Sequence, residues 1–118
     1  SATSWAPIEM TPPPIDESAV NMIVQRTMAL ATRIQTGAIQ GTAIKRDTDK
    51  VVQDALAHFR SWKHADPEDT RALLVDILRT MSQRVPVSQP QFAEVMVTVA
   101  DLIAVGKIAP DDHTDPGQ

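Results

Sequence analysis

Apolar and small residues recur along this chain at intervals of three and four. Val20, Ile23, Val24, Thr27, Leu30, Ala31 and Ile34 fall on one helical face, with Gln25, Arg26, Thr32 and Arg33 opposite, which is the period of an amphipathic α-helix. Asp16 and Ser18 suit its N-cap and first turn. Beyond Thr36 the pattern blurs. Gly37 and Gly41 each disfavour helix by about 1 kcal/mol relative to Ala. Ala38 would continue the stripe, whereas Ile39 and Ile44 would not. Residues 36–47 therefore admit a helix that ends near Thr36, a helix that runs on, or a short extended segment.

The same spacing predicts three more helices. Asp47, Thr48 and Asp49 are candidate caps for the second, with Val51, Val52, Ala55, Leu56, Phe59 and Trp62 on its buried face and an end near His64. The third starts with Asp66 as N-cap, Pro67 at the first helical position and Glu68 and Asp69 in the first turn, where acids complement the helix dipole. Its face is Thr70, Leu73, Leu74, Ile77, Leu78 and Met81. Pro86 closes that element, and Ser88 with Gln91 has the spacing of a reciprocal capping box for the fourth. Phe92, Val95, Met96, Val99, Leu102 and Ile103 line the fourth helix, and Gly106 suits its C-terminal cap. Val95, Val97 and Val99 also alternate as a strand would, but the pattern lasts too long for one strand.

The connections between the last three segments are short, which forces neighbours in sequence to pack antiparallel. The expected fold is all-α, a small antiparallel bundle of about four helices over residues 15–108. Residues 1–14 contain Pro7 and the run Pro12 to Pro14, which reads as an extended arm. Residues 109–118 read as a disordered acidic tail. Composition agrees. Of 118 residues, 42% are hydrophobic but only 3% aromatic, so the core is built from Leu, Ile, Val, Met and Ala, the residues that fill space between helices. No segment repeats another.

The formal net charge is −4, and its distribution is uneven. Glu9, Asp111, Asp112 and Asp115 lie in the two terminal segments, which hold no Lys or Arg, so the bundle is close to neutral. Such a balance argues against a dedicated nucleic-acid binder, whose affinity comes largely from neutralising phosphates. The chain has no Cys, which excludes disulfides, thiol nucleophiles and thiolate-bound metals. No stretch reaches the roughly 20 apolar residues of a membrane span, and no signal-peptide pattern stands at the N-terminus. The expected location is cytoplasmic, unless a signal has been removed. Seven Arg against four Lys and a single Asn lean toward a bacterial or phage genome.

Motifs that carry chemistry are scarce. Asp54, His58 and Ser61 share a face of the second helix, but side chains on one helix project side by side and nothing nearby supplies an oxyanion hole. Asp54 with His58 is one or two ligands short of a metal site, His64 points elsewhere and His113 lies in the tail. Gly37 and Gly41 lack the Lys and Ser or Thr of a phosphate loop. We therefore expect no catalytic residues, no metal and no cofactor.

Off-stripe apolar residues are more informative. Met22 and Met28 flank the first helix, Ile39 and Ile44 follow it, Val75 and Val97 lie off the faces of the third and fourth, and the arm carries Trp5, Ile8 and Met10. They either widen the core or meet a partner. The candidate partner-binding set is Trp5, Met22, Arg26, Met28, Arg33, Ile39 and Ile44. The expected function is a non-enzymatic protein-interaction module: an adaptor, an inhibitor of immunity type or an assembly component, with self-association as a homodimer through the first helix and the arm. One alternative is a nucleic-acid-associated regulator using Lys45, Arg46, Lys50, Arg60 and Lys63. Another is an accessory subunit of an enzyme or secretion machine.

Overall fold

The computed structural model describes residues 15–60 and 67–108. Within them the chain forms four helices and no strand: α1 (Glu17–Gln35), α2 (Thr42–Arg60), α3 (Pro67–Gln83) and α4 (Pro90–Val105). They build an antiparallel four-helix bundle. The arm (1–14), Trp62, His64, the Asp66 cap and the tail (109–118) lie outside the described residues.

α1 begins and ends on explicit caps. Asp16 is extended and its carboxylate accepts the Ala19 N–H at 3.1 Å, satisfying one of the donors that a helix start leaves unpaired. At the other end Gly37 adopts φ +82°. Its N–H donates to Ile34 O at 3.1 Å while the Ala38 N–H donates to Arg33 O at 2.8 Å, the paired bonds of a Schellman closure. Of the three paths open to residues 36–47, the helix that stops at Thr36 is the one taken.

α2 corrects the second-helix start. It begins at Thr42, more than a turn before Asp47, because Gly41, at φ +63°, completes a tight reversal that lets the helix resume at once. The polar residues expected as caps are then interior. Asp49 accepts from Lys45 Nζ at 2.8 Å, and the Thr48 hydroxyl donates back to Ile44 O at 2.6 Å, a bond available to Thr only inside a helix.

α4 corrects the capping box. Its N-cap is Gln89, which makes no side-chain cap bond, with Pro90 following at N1. The orphan N–H of Phe92 donates instead to Gln35 Oε1, at 3.0 Å, from the last turn of α1. Ser88 does not take part because Pro86 to Gln89 form a turn of their own, closed by the Gln89 N–H on Pro86 O at 2.9 Å.

α4 packs against all three other helices, most extensively α3 and α1, whereas α2 and α3 barely touch. That central position explains why its apolar pattern is broad. Leu30, Phe59, Leu74, Leu78, Met96, Val99 and Ile103 are fully buried in one shared core. Two face assignments change. Val75, off the expected stripe of α3, is buried, and Leu102, expected in the stripe of α4, is 37% exposed.

The far end of α4 is held by α3. The Arg71 guanidinium donates to the carbonyl oxygens of Ile103, at 2.9 Å, and Gly106, while binding the Glu68 carboxylate through two oxygens at 2.8 and 2.9 Å. The fork thus satisfies carbonyls that a helix terminus leaves open. Gly106 itself is extended, not left-handed.

Candidate functional site

Among the described residues, open grooves lie between the helices. The first, of about 400 Å³ between α1 and α2, has Ala29 and Val51 among its lining residues, with Arg26, Arg33 and Lys50 as its cations and Asp47 and Asp54 as its acids. Antiparallel pairing sets this up. Arg26 faces Asp54 at 3.8 Å, while Arg33, seven residues on, reaches the opposite end of the groove. The sequence had placed Arg26 and Arg33 among partner contacts and Lys50 in a separate nucleic-acid patch. The fold brings all three to one groove, and neither Arg33 nor Lys50 makes an ion pair among the described residues.

Two of the other candidate cations are engaged locally. Lys45 binds Asp49 at 2.8 Å and Arg46 meets Asp47 at 3.4 Å, all within α2. The hydrogen bond that it donates to Asp49, and then the carboxylate's charge, hold the exposed Lys45 ammonium protonated above its ordinary range. Such solvated pairs contribute little to stability. Arg60 is the last residue of α2, and Lys63 lies outside the described residues.

The apolar candidates are drawn inward. Met22, Met28, Ile39 and Ile44 are half-buried and pack against the core. Met is suited to that use, since an unbranched, polarizable chain fills the irregular space beside a helix stripe. Trp5 lies outside the described residues.

The second groove, of about 460 Å³ between α2 and α4, is lined by Ile44, Thr48, Thr98 and Leu102 with Lys45 and Asp49 at its side. Next to it α4 exposes further apolar residues: Val105 is 81% exposed and Val97 39%. Sequence reasoning named Val97 as off-stripe but missed Leu102 and Val105. A signal existed for them, since Thr98, Leu102 and Val105 recur at helical spacing on the side away from Val99 and Ile103. The third groove, of about 420 Å³ between α3 and α4, is lined by Glu68, Arg71, Val75, Asp76, Arg79 and Ala104. Both of its cations are used structurally: Arg71 clamps the end of α4 and Arg79 binds Asp101 at 3.0 Å.

Asp54, half of the Asp54 and His58 pair, turns its carboxylate to Arg26. Among the described residues no three His, Asp or Glu side chains gather as metal ligands, and no helix is long and apolar enough to cross a membrane. Comparison with protein-family models, curated proteins and solved structures finds no match to this chain.

Proposed function

We propose that this chain is a non-enzymatic helical module that acts through protein contacts and associates with a second copy of itself through α4. The observation that carries the reading is the exposure of Val97, Leu102 and Val105 on the helix that is otherwise the centre of the core. None of the three belongs to the buried core. Two copies packing this face antiparallel about a two-fold axis would remove the same apolar residues from water on both sides, the self-complementary arrangement of a homodimer. Asp101, which lies in the middle of the face, is partnered by Arg79 at 3.0 Å, which softens repulsion between copies.

Solution mass by size-exclusion chromatography with light scattering, at two well-separated concentrations, tests this. The expected result is a mass that rises toward the dimer with concentration. Replacing Leu102 and Val105 together by Asp should return it to the monomer with unchanged helical circular dichroism, since neither residue is in the core. A monomer at both concentrations overturns self-association.

A further inference from the structure

We infer that the α1–α2 groove is a docking site for an acidic peptide segment of a partner protein, with Arg33 and Lys50 as its anchoring cations. The inference rests on the reading of the chain as a protein-contact module but uses a different surface from α4. Charge complementarity carries it. The chain as a whole is acidic, with net charge −4, yet this groove gathers three cations against two acids. Both acids are already partnered, Asp47 by Arg46 at 3.4 Å and Asp54 by Arg26 at 3.8 Å. Arg33 and Lys50 have no such partner among the described residues.

Geometry narrows the occupant. Arg26 and Arg33 stand two helical turns apart, a rise of roughly 10.5 Å, with Lys50 on the facing helix. A single small anion cannot meet cations spread over that length, whereas carboxylates spaced along a peptide can. Ala29, on α1 between the two arginines in sequence, has a small side chain that leaves room for a backbone to approach, and Val51 offers an apolar contact. Asp47 and Asp54 disfavour a nucleic-acid backbone, whose closely spaced phosphates would fall against them. They tolerate a peptide, whose carboxylates are intermittent and whose amides donate hydrogen bonds.

The test is an amide-resolved NMR titration of the full chain with an alanine-based helical peptide carrying Glu at positions i, i+4 and i+7, beside its Gln counterpart. The Glu peptide should shift amides of residues 26–33 and 47–54, and the Gln peptide should not. Replacing Arg33 and Lys50 together by Gln should weaken binding about tenfold or more, as for the loss of complementary charges at an interface. Asp54→Asn frees Arg26 and should tighten it, a gain that a damaged fold would not produce. Leu102→Asp should leave the titration unchanged, so loss of self-association and loss of groove binding are read separately. Four results would overturn the proposal: no shift in the groove, equal binding of the Gln peptide, the same shifts from inorganic phosphate or a single-stranded oligonucleotide, or binding only after removal of residues 109–118. The last would assign the groove to the chain's own Asp111, Asp112 and Asp115.

Discussion

At Gly106 and Thr70 a single methyl group decides the sign of a substitution. A Cβ on Gly106 would collide with Leu56 Cδ1 and lie 3.0 Å from Leu102 O. Gly106→Ala should therefore destabilise the bundle by about 1–3 kcal/mol through overpacking. Thr70 is fully buried and its hydroxyl has no hydrogen-bond partner among the described residues. Thr70→Val keeps the shape and removes a desolvated polar atom, so it should stabilise by about 1 kcal/mol. Urea denaturation of both variants reads the contrast, and a Thr70→Val protein less stable than the parent would show that the hydroxyl is satisfied after all. The glycine was legible in the sequence as a helix end, but its reason was not. Sequence suggested a C-terminal cap, and the structure shows an extended glycine in that place, kept small by a leucine fifty residues away in the chain.

Among the elements, the starts of the helices separate what local sequence decides from what it leaves to the fold. Asp16 caps α1 by a bond three residues long, and Pro67 opens α3 with Glu68 and Asp69 in its first turn; both could be read directly. The start of α2 could not, because Asp47, Thr48 and Asp49 have equally good uses inside a helix. Nor could the start of α4, whose N-terminal donor is satisfied from α1 by Gln35. Two substitutions follow. Gln35→Ala leaves the Phe92 N–H without its partner and should cost about 1 kcal/mol. Gln89→Asp supplies α4 with a cap of its own and should add about 1 kcal/mol. If the cap in trans is what matters, Gln89→Asp also offsets much of the Gln35→Ala loss, which a double-mutant cycle measures. Additive effects would show that the two groups serve different donors.

Across the whole molecule, the uneven packing of the helices predicts uneven protection. α4 touches every other helix, while α2 and α3 meet only weakly. Amide hydrogen exchange should be slowest in the buried turns around Met96, Val99 and Ile103, approaching global stability, and fastest in the first turn of α2 beside Gly41. Met96→Ala should cost about 2–5 kcal/mol, since it opens a cavity where the helices meet. Uniform exchange across the four helices would contradict this picture. The all-helical bundle itself was legible from spacing alone, because each stripe recurs at intervals of three and four and is built mainly from aliphatic residues. The candidate sites were legible only in part. Arg26, Arg33 and Lys50 were each visible as exposed cations, but that they share one groove depends on the antiparallel register of α1 and α2, which no single helix encodes. The methionines were open to two readings for a related reason: a stripe on one helix does not reveal how wide the space beside it will be.

The position of α4 also bears on how the chain is made. Helices α1 to α3 leave the ribosome first, and the surface they share is mainly the one that α4 will cover. With α2 and α3 barely in contact and the Gln35 side chain waiting for the Phe92 amide, little can be gained by collapse before residues 90–105 have been synthesised. Until then the earlier helices carry exposed apolar stripes, open to chaperones or to misassociation. A chain halted before Pro90 should accordingly be proteolysed rapidly, whereas completion of that one helix converts the whole bundle to a protected form in a single cooperative step.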